Sequence, residues 1–108
     1  MDEALRKQIE EDIKNNRVLL YMKGSRSEPK CGFSAQVIQI LNGYGVSYET
    51  RDVLESWELR EGIKEFTNWP TVPQLYIDGK FVGGCDITVE MHRKGELENV
   101  LVGKIAKA

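Results

Sequence analysis

The sequence predicts an α/β fold, with a four-stranded mixed sheet flanked by helices in the order α-β-α-β-α-β-β-α-α. Helical periodicity alternates with short apolar runs over the first two thirds of the chain. Two strands joined through a helix are expected to be parallel. Asp78-Gly79 is a hairpin signal and predicts that the later two strands are antiparallel. At 108 residues, the chain fits a single domain over 1–108 with one continuous core.

The first helix is predicted from apolar residues at helical spacing after a capping Asp2, and it ends at Asn15-Asn16. Those apolar residues are Leu5, Ile9 and Ile13. Arg17 to Met22 is a short apolar, β-branched and aromatic run, which indicates a buried strand. A loop over 23–31 follows this strand.

A second helix follows the loop and is predicted to end at Asn42-Gly43, with Gly45 completing the turn. Its expected apolar face consists of Phe33, Val37, Ile40 and Leu41. Val46 to Val53 alternates in polarity and indicates the second strand. Ser56 is the expected cap of a third helix, whose inward residues are Leu59, Ile63 and Phe66.

Two prolines spaced three apart exclude regular structure from Thr67 to Pro73. The hairpin strands are predicted over Gln74 to Ile77 and Lys80 to Val82. Asp86 is expected to cap a fourth helix that ends at Gly95, and a last helix is predicted over Glu96 to Lys107. That helix places Leu97, Val100, Leu101 and Ile105 on one side.

Composition and charge exclude several function classes. The chain is 41% hydrophobic and 30% charged, with a net charge of −2, so neither a nucleic-acid partner nor a membrane surface is expected. Two cysteines are too few for a disulfide framework, which favours a reducing compartment. The acidic N-terminal stretch lacks the features of a leader, so we expect a cytoplasmic protein. The alternative is a mitochondrial or plastid protein whose leader has been removed.

The most informative stretch is Cys31-Gly32-Phe33-Ser34, which places a thiol where a strand and loop give way to a helix. Unpaired N–H groups and the helix dipole at such a position stabilise a thiolate and lower the pKa of the cysteine. Lys23 and Lys30 are expected to act in the same direction. The alternative is a buried, inert cysteine. Ser34 stands at the fourth position of the motif, so no Cys-x-x-Cys pair is present.

Several separated motifs together resemble one family. They are Met22-Lys23-Gly24, Pro29 two residues before the thiol, Cys31-Gly32-Phe33-Ser34, Asn68 to Gln74 and Gly83 to Ile87. In this order and spacing the chain resembles a thioredoxin-fold protein, specifically a monothiol glutaredoxin of the Cys-Gly-Phe-Ser class. The resemblance implies glutathione binding, and a 2Fe-2S cluster held between two protomers and two glutathiones. It also implies a role in storing and transferring clusters during iron–sulfur cluster biogenesis.

The same resemblance implies roles for individual residues. Cys31 would be the catalytic thiolate and the iron ligand of each protomer. The implied glutathione site comprises Lys23, Cys31, Phe33, Arg60, Thr71, Val72, Pro73, Gly84, Cys85 and Asp86. Within it, Lys23 and Arg60 would bind a carboxylate. The backbone of Val72, before a cis-proline, would pair with the ligand. The implied partners are a second copy of the chain when the cluster is bound, a BolA-like protein, and apo acceptors of clusters; the apo form would be a monomer.

Other readings stay open at this point. Lys23 and Arg60 could be solvated surface residues, and Cys85 could resolve a disulfide with Cys31. The chain could also be a weak glutathione-dependent thiol-disulfide oxidoreductase that removes glutathione from mixed disulfides with Cys31 alone. A third reading is an interaction module with a vestigial thiol. The long loop from Lys23 to Cys31 is typical of the cluster-carrying class. Arg26 stands where many relatives have proline, which predicts a more mobile loop.

Overall fold

A computed structural model describes residues 1–102 of the chain. The helices are α1 (Glu3–Asn15), α2 (Gly32–Tyr44), α3 (Trp57–Thr67), α4 (Cys85–Arg93) and α5 (Glu96–Leu101). The strands are β1 (Val18–Met22), β2 (Glu49–Asp52), β3 (Gln74–Ile77) and β4 (Lys80–Gly83). The predicted element order is confirmed, with one short 3-10 helix (Val53–Glu55) added between β2 and α3. No helix among residues 1–102 is long and apolar enough to cross a bilayer.

The sheet is mixed, as predicted, with the strand order β2-β1-β3-β4. β1 runs parallel to β2, with Leu20 opposite Thr50, and antiparallel to β3, with Leu20 opposite Leu75. β3 and β4 form the antiparallel hairpin. The fully buried β1 therefore lies at the centre, and its C-terminal end leads directly to Lys23 and the loop before Cys31.

The sheet divides the interior into two apolar clusters rather than the one continuous core expected from the chain length. Leu20 and Met22 of β1 belong to the cluster under α2, α4 and α5, whereas Leu19 and Tyr21 belong to the cluster under α1 and α3. This division follows from the period of two along a strand, which sends successive side chains to opposite faces. Helices thus cover both faces of the sheet.

The second strand is shorter than predicted. It begins at Glu49 rather than Val46, and its four residues pair with Leu19 to Met22 of β1. Val46 instead packs against the cluster under α2. The strand ends at Asp52, whose side chain accepts the Leu54 N–H at 2.9 Å and starts the 3-10 helix.

The predicted apolar face of α2 was wrong at its first residue. Phe33 is 61% exposed, and the buried residues of the helix are Ser34, Val37, Ile38 and Leu41. Ser34 takes the inward position in the first turn because its hydroxyl accepts the Lys23 N–H at 3.2 Å. One residue corresponds to 100° around a helix, so Phe33 is turned outward.

Asp86 is not the cap of α4, which begins two residues earlier than predicted. Gly84 occupies the N-cap position, its carbonyl accepts the Thr88 N–H at 3.1 Å, and Asp86 lies within the first turn. In α5, Leu97 and Leu101 are buried as expected, whereas Val100 is exposed. The part of the last helix predicted over 103–107, including Ile105, lies outside the described residues.

The loop between β1 and α2 is anchored at two points. Gly24 has a φ of +92° and bridges to Pro29, and its N–H donates to the Asp52 carboxylate at 2.9 Å. Arg26 donates a hydrogen bond to the Tyr48 carbonyl, and its guanidinium lies 4.1 Å from the centre of the Tyr48 ring. The expectation of a freer loop overlooked this contact, through which an arginine at position 26 ties the loop to the chain before β2.

Candidate functional site

A cleft of about 550 Å³ opens at the C-terminal end of β1, between the start of α2, the start of α4, and α3. All ten residues that the sequence predicts for the glutathione site contribute to its lining. They are Lys23, Cys31, Phe33, Arg60, Thr71, Val72, Pro73, Gly84, Cys85 and Asp86. The fold therefore brings five separate stretches of sequence together at one cleft.

Cys31 occupies the N-cap position of α2 and is partly exposed. The Ser34 backbone N–H is the largest influence on its pKa and lowers it, with smaller lowering effects from the Phe33 N–H and the Lys23 charge. Partial burial opposes these effects, but the pKa stays below that of an ordinary thiol. Lys30, which was expected to help, extends towards Glu28 instead, at 4.0 Å. The result is an accessible thiol whose thiolate is more stable than that of an ordinary cysteine.

Cys85 has the opposite character. It is buried at the first residue of α4, and its thiol donates to the Gln36 Oε1 atom at 3.3 Å. Burial raises its pKa, and the nearby Asp86 and Cys31 raise it further. Both cysteines are free. The two thiols at this cleft are therefore chemically unlike each other, because the pKa of the accessible Cys31 is lowered and that of the buried Cys85 is raised.

Three cationic side chains line the same cleft. Lys23 follows β1, while Arg60 and Lys64 lie one turn apart on α3. The Arg60 guanidinium lies 6.0 Å from the centre of the exposed Trp57 ring, and Lys64 pairs with Glu61 at 3.0 Å. Together they give the cleft a positive character suited to a carboxylate, and Asp86 at the start of α4 lines the same cleft.

The irregular segment before β3 forms one wall of the cleft. The peptide bond between Val72 and Pro73 is cis, as the resemblance implied. Gly84 packs closely behind this segment: a Cβ atom built there would lie 3.2 Å from the Pro73 carbonyl oxygen and 3.4 Å from Trp69 Nε1. The absence of a side chain at Gly84 thus lets the start of α4 approach the cis-proline segment and close one side of the cleft.

Four residues line the cleft that the sequence prediction missed: Lys64, Trp69, Pro70 and Ile87. Lys64 could have been found, because it lies four residues after Arg60 and so shares its face of α3. Trp69 packs edge-on against Phe81, with the ring centres 5.6 Å apart, and it also borders the cleft.

The comparisons with known proteins agree with this geometry. The glutaredoxin family profile matches residues 18–82, a stretch that runs from β1 into β4 and contains Cys31 and the cis-proline. This chain belongs to the glutaredoxin family. Because Ser34 replaces the second cysteine of a Cys-x-x-Cys motif, this glutaredoxin is of the monothiol type, and its relatives bear that name.

A Synechocystis protein described as an uncharacterized monothiol glutaredoxin, ycf64-like, is 48% identical over 101 residues, covering 94% of each chain. A probable monothiol glutaredoxin 2 from Rickettsia conorii is 55% identical over 93 residues, covering 86% of this chain and 87% of the other. The solution structure of reduced poplar apo GrxS14 matches with a TM-score of 0.78 and 47% identity, covering 88% and 87% of the two chains. The predicted thioredoxin fold of this glutaredoxin is thereby confirmed.

Proposed function

We propose that this glutaredoxin binds glutathione in the Cys31 cleft and, with it, stores and transfers a 2Fe-2S cluster in iron–sulfur cluster biogenesis. The observation that carries the proposal is the accessible, low-pKa thiol of Cys31 at the edge of a cleft lined by Lys23, Arg60 and Lys64. An accessible thiolate is a metal ligand, and the cations select a ligand that carries carboxylates.

Glutathione matches the distribution of charge around the cleft. Its glycine carboxylate would lie at the cationic end, where Arg60 offers a bidentate fork and Lys23 a point charge. Its γ-glutamyl carboxylate would accept from backbone N–H groups at the start of α4, as in other anion sites at helix N-termini. Asp86 would accept from the ligand's ammonium group. The backbone of Val72 would pair with the cysteine of glutathione as an added strand does.

The cluster is the cargo in this proposal, and a single chain does not supply enough ligands for it. Residues 1–102 contain no group of three or more His, Cys, Asp or Glu side chains placed to hold a metal ion. Cys85 is buried and its pKa is raised, whereas Cys31 is accessible and its pKa is lowered, so Cys31 is the thiol better suited to bind a metal. A cluster with four thiolate ligands would then take two Cys31 side chains from two chains and two thiolates from glutathione, as the family resemblance implies.

Assembly and partners follow from that ligand count. We expect a homodimer in the cluster-bound state and a monomer in the apo state. A BolA-like protein and apo acceptors of clusters are proposed partners on the family resemblance alone. The cytoplasmic location, with its mitochondrial and plastid alternatives, stays a prediction.

Anaerobic reconstitution with iron, sulfide and glutathione tests the cluster proposal. The wild type should give a brown protein with visible absorbance, and omission of glutathione should prevent this. Cys31→Ser should stay colourless, whereas Cys85→Ser is the matched control and should keep its colour. A colourless wild type, or a coloured Cys31→Ser variant, would show that the cluster is not held as proposed.

The accessible thiolate also favours a second activity, removal of glutathione from mixed disulfides. The Cys31 thiolate would attack the glutathione sulfur and release the substrate thiolate, forming a disulfide between Cys31 and glutathione. A second glutathione thiolate would attack that disulfide, giving oxidised glutathione and restoring Cys31. Steady-state assays on a glutathionylated peptide measure this route. Rapid turnover by a protein that never binds a cluster would make the oxidoreductase the principal function.

A further inference from the structure

Gln74 is a fully buried polar residue beside the cleft, and its amide group is engaged on both sides. Its Nε2 atom donates to the Thr71 carbonyl at 3.1 Å and to the Trp69 carbonyl at 3.2 Å. Its Oε1 atom lies 3.1 Å from the Thr67 hydroxyl and 3.3 Å from the Tyr76 hydroxyl. Both amide protons are thus used to hold two carbonyl groups of the segment that forms the cleft wall.

The orientation of this amide is fixed by its partners. The carbonyl oxygens of Trp69 and Thr71 can only accept, so the NH₂ group must face them. The two hydroxyl groups lie on the opposite side and can donate to Oε1. The Thr67 hydroxyl has one proton and is closer to the Ile63 carbonyl, at 2.9 Å, so the acceptor side of the amide is bonded less firmly than the donor side.

The bond to Thr71 has a consequence for the neighbouring peptide group. The Thr71–Val72 peptide is trans, since the cis bond of this segment is the one that follows Val72. In a trans peptide plane the C=O and N–H groups point in opposite directions. Holding the Thr71 oxygen towards the buried Gln74 therefore turns the Val72 N–H away from it. Val72 lines the cleft, and no hydrogen bond to another described residue engages its backbone.

We propose that Gln74 is a positioning residue for glutathione: through the Thr71 carbonyl it aims the Val72 N–H into the cleft. The inference rests on the proposed function, because it concerns the affinity for glutathione. Without the Gln74 NH₂ group, the Thr71–Val72 peptide is free to rotate. Ligand binding must then offset the entropy that is lost when this peptide becomes ordered. Gln74 itself does not touch the ligand or the Cys31 sulfur.

The test compares variants that remove opposite sides of the same network. Gln74→Glu keeps the shape and the acceptor but loses both donors when its carboxyl is ionised. A buried carboxylate is costly, so Gln74→Met, of similar length and without charge, is the second variant. Tyr76→Phe is the matched control, since it removes a bond to Oε1 and leaves both donors in place. Calorimetry gives the Kd for reduced glutathione, thermal unfolding gives Tm, and the pH dependence of iodoacetamide alkylation gives the pKa of Cys31.

Gln74→Met, and Gln74→Glu where it folds, should bind glutathione about tenfold more weakly than the wild type. The pKa of Cys31 should be unchanged in Gln74→Met, which adds no charge, because none of the groups that lower it belongs to the Gln74 network. Tyr76→Phe should lower Tm yet keep its Kd within about twofold. Wild-type affinity in folded Gln74→Met, or an equal loss in Tyr76→Phe, would overturn the positioning role alone. A wild type that does not bind glutathione would instead overturn the proposed function, and this inference with it.

Discussion

The Ser34 hydroxyl accepts the Lys23 N–H at 3.2 Å and so joins the end of β1 to the first turn of α2. Ser34 is the residue that stands where a dithiol motif has its second cysteine, and it is fully buried. Its backbone N–H is also the largest influence that lowers the pKa of Cys31. The serine of the monothiol motif thus has a structural role of its own beside the thiol.

Replacing the Ser34 hydroxyl should lower the free energy of unfolding and raise the pKa of Cys31. Ser34→Ala leaves the Lys23 N–H without its partner, so the free energy of unfolding should fall by about 1–3 kcal/mol in urea titrations. The pKa of Cys31 should rise slightly, because the Ser34 side chain lowers it in the wild type. Ser27→Ala, the control, removes an exposed hydroxyl from the loop between β1 and α2 and should change the free energy of unfolding by less than about 0.5 kcal/mol. Equal effects of the two substitutions would refute the proposed role of Ser34.

The two cysteines should differ in the pH dependence of their alkylation. The lowered pKa of Cys31 means that it should react with iodoacetamide at pH values where an ordinary thiol is protonated, and its rate should fall as the pH drops through the folded-state pKa. Cys85, whose pKa is raised, should react at higher pH and faster after unfolding. The variants Cys85→Ser and Cys31→Ser isolate the two rates. Indistinguishable profiles would contradict the assigned environments.

The lowered pKa of Cys31 also predicts how the stability of the fold depends on pH. A thiol whose pKa is lower in the folded state stabilises the fold above the unfolded-state pKa, and this contribution is lost as the pH falls through the folded-state pKa. Cys31→Ser should therefore flatten the pH dependence of Tm between the folded-state and unfolded-state pKa values of this thiol. A wild type and a Cys31→Ser variant with parallel curves of Tm against pH would argue against a stabilised thiolate.

Gly84 should tolerate no side chain, whereas Gly43 should. A Cβ atom at Gly84 would lie 3.2 Å from the Pro73 carbonyl oxygen, so Gly84→Ala must displace the cleft wall. The free energy of unfolding should fall by about 1–3 kcal/mol, and the affinity for glutathione should fall as well. Gly43 lies within α2 with no atom within 4 Å of the position of an added Cβ, so Gly43→Ala should stabilise the protein by about 0.5–1 kcal/mol. Urea titration and calorimetry measure both, and unchanged affinity in Gly84→Ala would argue against this wall as part of the site.

Arg26 should hold the loop before Cys31 in place. Its contacts to the Tyr48 carbonyl and ring anchor the loop, so Arg26→Ala should increase amide hydrogen exchange over residues 24–30 and cost about 0.5–1 kcal/mol of stability. Arg6→Ala, at an exposed position of α1, is the matched control and should leave that exchange unchanged. Equal loop protection in both variants would show that Arg26 does not anchor the loop.

Much of the fold could be predicted from the sequence because its signals are local. Helical periodicity, the capping Asp2 and Ser56, and the Asp78-Gly79 turn depend on neighbouring residues, and the structure confirms them. The outward turn of Phe33 could not be found in this way, because it depends on a hydrogen bond between Ser34 and Lys23.

Some features of the candidate site could likewise be predicted from the sequence, whereas others depend on contacts between distant residues. Its ten predicted residues all line one cleft. They could be predicted because the resemblance to a known family marks them in separate stretches of the sequence. The contact of Arg26 with Tyr48 joins residues 22 positions apart, and no local pattern indicates it. The sequence indicates that Gln74 begins a strand. The hydrogen bond from its side-chain amide to the Thr71 carbonyl depends on how the strand packs against the preceding segment, which no local pattern indicates.

Native mass spectrometry of the anaerobically reconstituted protein tests the central claim most directly. The account predicts one assembly whose mass equals two chains, two glutathiones and one 2Fe-2S cluster, absent from Cys31→Ser and retained by Cys85→Ser. It also predicts that removal of glutathione returns the protein to an apo monomer. A cluster bound to a single chain, or a cluster-bound dimer without glutathione, would contradict the account.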